Sequence, residues 1–486
     1  MSGRGSFFRV LLGVFATTIG VQILGLLRQI LIARYFGISR QMDLYVLVLS
    51  IAMMSVFAFG GIFDNVAVPF LVRAREAGAE HLRSLAGQFV VGSALFALAV
   101  SLLFLAVLPL LLPVIGAGLS ARDRAGGWSL GLAFLPWTLT SIPYYALVSV
   151  HKARHRFRRV LSGELIAMAV SLLAIAAMHS GIAAVPLAYG AGYTAALLWV
   201  AWGVGIDLAW PRWRGEGGIG ALSRQSLQLF ATRQVASLGS LVERWLQSYL
   251  GSGALAAWSY SSLVVNNSAT LLGFREVFIV PLSIHDGRAA RLERVLIGLT
   301  LLSIPAAAAV MLMARPIVTI LFMRGRFGVE AANLTSTFLA IQALGLWLGT
   351  VGAPLLRMLQ ILDRAPLIGV TYIVGVLGVL LLGSVFVLGA HGGPVAFAAV
   401  MVASSALSTI TAGVLVHRAG LRPDWMRVAR YAAFALAAAA AGLFASRFAP
   451  PALPFYPRFA CRLLLFGLPV ALAYGAIRRR LLTVIR

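Results

Sequence analysis

The sequence predicts an all-α polytopic membrane protein with about fourteen transmembrane helices. Three observations predict it: an apolar composition no soluble core can absorb, apolar runs recurring along the whole chain, and arginine-rich loops at alternate turns. Of 486 residues, 60% are hydrophobic and only 11% are charged, and the mean hydropathy is +0.92. A soluble chain is about half apolar and about a quarter charged. The excess apolar surface has to face lipid.

A membrane span needs about 20 mostly apolar residues. Runs of that kind lie near 9–33, 43–72, 88–115, 128–151, 160–180, 183–206, 227–250, 254–284, 295–322, 332–360, 365–389, 394–416, 428–446 and 460–477. Only His179-Ser180-Gly181 separates the fifth run from the sixth. The basic N-terminal stretch leads into the first run without a small-residue cleavage site, which reads as a retained helix. Arginines crowd the loop after every second run: Arg73 and Arg75, Arg154 to Arg159, Arg212 to Arg224, Arg288 to Arg294, Arg364, and Arg418 to Arg427. Arg122/Arg124 and Arg324/Arg326 depart from that pattern. By the positive-inside rule both termini are expected in the cytoplasm of a bacterial inner membrane, which requires an even number of spans.

The net charge of +25 is accounted for by these loops, which meet anionic lipid headgroups, and not by nucleic-acid binding. A single cysteine, Cys461, rules out an intrachain disulfide and a cysteine-based metal site.

An internal repeat organises the chain. Leu24, Gly25, Leu27, Tyr35 and Gly37 recur at the same spacing as Leu238, Gly239, Leu241, Tyr249 and Gly251, and Val68-Pro69 is echoed by Val280-Pro281. Repeats of one direction predict two pseudo-symmetric six-helix lobes, 1–215 and 216–422, followed by an extra C-terminal helix pair, 423–486.

Charged groups at membrane depth mark a cavity or a path by default. In the first run Gln22, Gly25, Arg28 and Gln29 share a helix face, and Asp43 opens the second run near the same end. Arg28 is either lumenal or an interfacial arginine paired with Asp43. The seventh run carries Arg233, Ser237, Ser240, Arg244 and Gln247 on one stripe, with Glu243 beside it. The eighth adds Asn266 on a polar face and then Arg275 and Glu276. Glu276 and Asp64, the latter just past Gly60-Gly61, are candidates for a coupling ion; a self-satisfied ion pair is the other reading of Glu276. Arginine outnumbers carboxylate along these faces, and its planar fork fits phosphate oxygens bidentately. Such a lumen suits a pyrophosphate head group and repels lipophilic cations. No P-loop, HExxH, GxSxG or paired metal-binding carboxylate motif occurs. The reading is a transporter without catalytic residues, cofactor or metal.

Gly25-Leu26-Leu27-Arg28-Gln29 through Tyr35-Phe36-Gly37 and Asp43, Ser248-Tyr249-Leu250-Gly251-Ser252-Gly253, Val280-Pro281-Leu282-Ser283 and Leu321-Phe322-Met323-Arg324-Gly325-Arg326-Phe327 resemble the MurJ/MviN-type lipid II flippases. Their superfamily also holds O-antigen and exopolysaccharide flippases and MATE exporters. The resemblance implies alternating access around a cationic cavity that takes an undecaprenyl-pyrophosphate-linked glycan, with roles for Arg28 and Asp43. The chain departs from the family at Gln22, Val56 and Leu263, where MurJ carries arginine, and places Arg233, Arg244 and Arg275 elsewhere. The expected function is translocation of a polyprenyl-pyrophosphate glycan, whether exopolysaccharide, O-antigen or peptidoglycan precursor, driven by membrane potential or a counter-ion, beside glycan polymerase machinery. The alternatives are a MATE-like small-molecule antiporter, which predicts unpaired carboxylates and aromatic walls, and a transporter-like scaffold in a polysaccharide assembly complex.

Overall fold

A computed structural model describes residues 3–178, 181–213, 219–271, 287–362, 364 and 366–477. The side chains of 3–16, 55, 57–61, 221, 228–229, 231–236 and 269–271 lie outside that description. The described residues are helical, with no strand.

Two compact units divide the chain. The first comprises residues 1–255 with 324–327, and the second 256–323 with 328–486. This division follows contacts, not the sequence repeat that separates 1–215 from 216–422.

In the first unit run α1 (Gly3–Phe36), α2 (Arg40–Ile62), α3 (Val68–Ala77), α4 (Ala79–Ile115), the short α5 (Ala121–Arg124), α6 (Gly127–Ala153), α7 (Phe157–Ala177), α8 (Ala184–Ala201) and α9 (Gly220–Ser248). Helix α9 belongs here because it packs on α2 and α4. The core of this unit gathers Phe63, Phe89, Tyr144, Val150 and Val200. The second unit holds most of α10 (Ala254–Leu271), then α11 (Arg288–Leu312), α12 (Ala314–Phe322), α13 (Val329–Ile361), α14 (Pro366–Gly383), α15 (Gly393–Arg418), α16 (Trp425–Ala445) and α17 (Phe455–Ala476). Its cores form where α11 meets α13 and α16.

Ten helices among the described residues are long and apolar enough to cross a membrane. The runs at 43–72, 128–151, 227–250 and 254–284 fall on α2, α6, α9 and α10, which are outside those ten. Helix α9 carries the polar stripe and α6 is rich in Trp, Tyr, Ser and Thr, so both read as less apolar than the rest.

Three runs are broken where the sequence reads a single span. The second passes through a π-helical turn at Phe63–Ala67, one residue after Gly60-Gly61. The ninth splits at Met313, because the Pro316 ring would collide with the carbonyl four residues back and has no N–H to give it. The eleventh ends in a π-helical segment, Ser384–Gly389. The third run starts earlier than its apolar stretch. Helix α4 begins at Ala79 and its 37 residues extend about 55 Å, more than a bilayer core of about 30 Å. Its first turns support the linker to α9: Gln88 Oε1 accepts the Arg212 N–H at 2.8 Å.

Basic residues between and at the ends of the helices do more than set topology. Arg159 Nη1 donates to the Trp199 and Trp202 carbonyls at 2.8 and 2.6 Å and lies over the Trp199 ring. Arg154 donates to the Val204 and Gly205 carbonyls. Both cations sit past the C-terminal end of α8, where unpaired carbonyls and the helix dipole favour positive charge.

Small residues let α7 and α8 touch backbone to backbone. A Cβ on Gly192 would lie 2.3 Å from the Ala167 carbonyl oxygen, whereas one on Gly25 would meet nothing within 4 Å. Close approach through glycine is how helices associate in lipid, where the hydrophobic effect does not drive them together. Gly192→Leu is therefore expected to force the pair apart at a cost of about 1–3 kcal/mol, measured as a lower melting temperature of the purified protein in detergent. Gly25→Ala should leave that temperature unchanged or raise it, since alanine is the better helix former by about 0.5–1 kcal/mol.

Candidate functional site

Three polar assemblies of the first unit contain Arg28, Asp43, Glu243 and Arg244 of the charged residues that the sequence singles out. The first centres on Arg28 in α1. Its guanidinium stacks on the Tyr189 ring of α8, 4.2 Å from the centroid, and its Nη1 donates to Ser171 Oγ of α7 at 3.2 Å. Gln29 Nε2 donates to the Tyr189 hydroxyl at 3.4 Å. Arg28 Nε is buried with no hydrogen-bond partner. An aromatic face holds a cation without neutralising it. Among the described residues Arg28 and Asp43 form no salt bridge with each other.

The second assembly is on α9. Arg244 Nε donates to Ser50 Oγ of α2 at 3.1 Å and its Nη1 to Gln247 Oε1 at 2.7 Å. Gln247, fully buried, passes the network on by donating from Nε2 to Glu243 Oε1 at 3.1 Å. Positions 243, 244 and 247 lie within one helical turn, so a single helix builds the chain of bonds. Arg244 is thus oriented by neutral oxygens, and Glu243 is reached through an amide.

The third assembly joins loops that lie far apart in sequence. Fully buried Asp43 accepts the Gly253 N–H at its Oδ2, 2.6 Å away. Arg326 N–H donates to the Arg34 carbonyl at 2.9 Å, and Gly118 N–H donates to Ser248 Oγ at 3.0 Å. Gly37, Gly253 and Gly325 have φ of +57°, +82° and +59°. Cβ atoms there would come within 2.6, 2.5 and 2.5 Å of the carbonyl oxygens of Arg326, Ile38 and Arg34. Only glycine meets both demands. The stretches 34–43, 248–253 and 324–327 therefore form one junction, in which a carboxylate oxygen binds a backbone N–H by a charge-assisted bond.

The remaining candidates are scattered. Gln22 is exposed on α1 and Asn266 is exposed on α10, in the second unit. Near Asn266 on α10, Ser261 and Ser262 bond to the Gln342 amide of α13. Arg233 lies on α9, but its side chain is outside the described residues, as are Arg275 and Glu276. Asp64 is exposed and holds Lys152 Nζ in a bidentate salt bridge at 2.7 and 2.9 Å. That pairing weakens Asp64 as a free ion ligand. Among the described residues no three His, Cys, Asp or Glu side chains gather around a common metal position.

Sequence reasoning missed Ser171, Tyr189 and Ser50, the residues that hold the arginines. Tyr189 and Tyr193 stand one turn apart on α8, and that spacing was the available signal.

A search of curated proteins found no match. Among solved structures, a lipid II flippase MurJ in an inward closed conformation superposes with a TM-score of 0.82 at 18% identity, covering 97% of this chain and all of that one. An inward-facing multidrug resistance MATE family transporter of the MOP superfamily gives 0.60 at 13% identity, over 85% of this chain and 95% of that one. A MOP superfamily transporter from Pyrococcus furiosus gives 0.51 at 13%, over 86% and 92%. At these identities the likenesses establish the fold. The sequence itself matches the family described as lipid II flippase MurJ over residues 32–452. This multi-pass membrane chain belongs to the lipid II flippase MurJ family, a family of transporters and not of enzymes.

Proposed function

We propose that this chain translocates a polyprenyl-pyrophosphate-linked glycan across the bacterial cytoplasmic membrane by alternating access. The observation that carries the reading is how Arg28 and Arg244 are held. Arg28 is oriented by a hydroxyl and a ring face, so its charge is placed but not cancelled, while Arg244 is oriented by a hydroxyl and an amide with the Glu243 carboxylate acting on it from the adjacent residue. A pyrophosphate supplies the missing anion, and its oxygens match the guanidinium fork. The lipid tail stays in the bilayer while the head group moves.

On this reading the fourteen runs are fourteen spans, arranged as two six-helix lobes at 1–215 and 216–422 with a helix pair at 423–486, and both termini are cytoplasmic. Arg233 and Arg275 extend the cationic lining, while Glu243 and Asn266 contribute polar contacts. The Asp43 junction closes one end of the unit and opens during the cycle. Membrane potential resets the loaded cavity, since moving one charge through 100 mV is worth about 2.3 kcal/mol. The glycan is a peptidoglycan precursor, or an exopolysaccharide or O-antigen unit, with the family match favouring the first.

Complementation of a strain depleted of its lipid II flippase tests this. Wild type should restore growth, while Arg28→Ala and Arg244→Ala should not, each losing an anion contact worth roughly 1.5–3 kcal/mol, or about ten- to a hundredfold in affinity. Wild type present in the membrane without rescue points to another polyprenyl glycan. Rescue by both variants would overturn the arginine assignment, as a scaffold role requires. Asp43→Ala strips the Gly253 N–H of its acceptor and should cost about 1–3 kcal/mol, read as a lower melting temperature in detergent. Asp43→Asn keeps an acceptor oxygen and should lose less.

A further inference from the structure

Helix α7 is among the apolar helices able to cross the bilayer, and Glu164 sits two turns inside it. It is half-buried and, among the described residues, makes no hydrogen bond or ion pair. The nearby opposite charge is already committed: Lys152 is bound bidentately by Asp64. Electrostatically Glu164 acts on Tyr144, Tyr145 and Tyr193, and feels Lys152 and Asp64. An ionised carboxylate without a partner at membrane depth is costly, and taking up a proton removes that cost.

Its surroundings form a connected tyrosine cluster between α6 and α8. The Tyr145 and Tyr193 hydroxyls bond to each other at 3.2 Å, while Tyr193 meets the rings of Tyr144 and Trp137, and Trp137 meets Tyr189. Tyr144 is almost fully buried, and its hydroxyl has no hydrogen-bond partner. That hydroxyl lies 3.3 Å from where a Cβ on Gly163 would stand, beside Glu164 in the chain.

The cluster ends at Arg28. Ser171, which accepts the Arg28 Nη1 hydrogen bond, is seven residues beyond Glu164. Seven residues bring both onto one helix face, about 10.5 Å apart along the axis. The groups facing this stretch of α7 are Arg28 from α1, Tyr144, Tyr145 and Lys152 from α6, Tyr189 and Tyr193 from α8, and Asp64 from the π-helical turn, with Arg158 and Arg159 on the first turn of α7 itself.

We propose that Glu164 is a proton-binding site of the first unit, coupled to Arg28 through the face of α7 that both address. A proton from water joins the carboxylate to give the neutral acid, within electrostatic reach of the Tyr144 hydroxyl. The anion balances Arg28 when Arg28 holds no phosphate, and the neutral acid leaves Arg28 to the head group. The proton is then the counter-ion of the cycle, in the role for which the sequence nominates Glu276 and Asp64. The link to a cycle rests on the flippase reading, whereas proton binding does not.

The test is infrared difference spectroscopy of the full-length protein in nanodiscs of phosphatidylethanolamine and phosphatidylglycerol, titrated through neutral pH. A carboxylic-acid C=O band is expected in the wild type, absent in Glu164→Gln and shifted in Glu164→Asp, with melting temperatures confirming that each variant is folded. Tyr144→Phe should move the band by removing a dipole that the carboxyl acts on. Arg28→Gln should raise proton affinity about tenfold, the size expected of a unit charge some 10 Å away at an effective dielectric of about 20. A wild-type spectrum identical to that of Glu164→Gln overturns the site, and an Arg28→Gln titration that coincides with wild type overturns the coupling. A band that behaves as expected in a chain that fails to rescue flippase depletion separates the two readings: the proton site stands and the lipid II assignment falls.

Discussion

An arginine surrounded by oil has to be answered from within the protein, and the kind of answer decides what the space around it can bind. A carboxylate would cancel the charge. Here Arg28 is answered by a ring face and a serine, and Arg244 is bonded by a serine and a glutamine, with the Glu243 carboxylate one step further along the network. Dipoles orient a guanidinium and lower the cost of its burial, yet leave the attraction for an anion intact. Tyr189 on α8, Ser171 on α7 and the Ser50 contact between α2 and α9 meet that need. Lys152 and Asp64 show the opposite solution, in which each charge is spent on the other.

The same economy explains the loops. Arg154, just past α6, and Arg159, on the first turn of α7, finish the end of α8, because carbonyls left open at a helix end have few partners close to lipid. Arg154 and Arg159 serve local structure and the overall charge bias at once.

Much of the fold was legible because the forces that set it are one-dimensional. Apolar length, proline and arginine placement are local properties, so the described residues of the runs are largely helical, and Gly60-Gly61 preceded the π-helical turn. The interruption before Pro316 was equally readable, although the run was taken as continuous. The arginines were visible for the same reason: a charge in an apolar run stands out. Their supports were hidden. Ser171 and Tyr189 look like ordinary residues of apolar helices, and only the packing of α1 against α7 and α8 turns them into a seat for Arg28. The junction was half visible. Its three glycine-containing motifs stood out singly, but nothing in the sequence said that they meet.

That junction carries an implication for how the chain is built. Residues 324–327 belong to the first unit although some seventy residues of the second precede them. Gly37 and Gly325 are fitted against carbonyls of the partner stretch, so neither side can close alone. During synthesis the first helices enter the membrane long before Arg326 exists, and Arg34 waits with an open carbonyl. The first unit is therefore finished late, after much of the second has been threaded. Assembly of the two units is interleaved in time, although helix insertion runs strictly from one end.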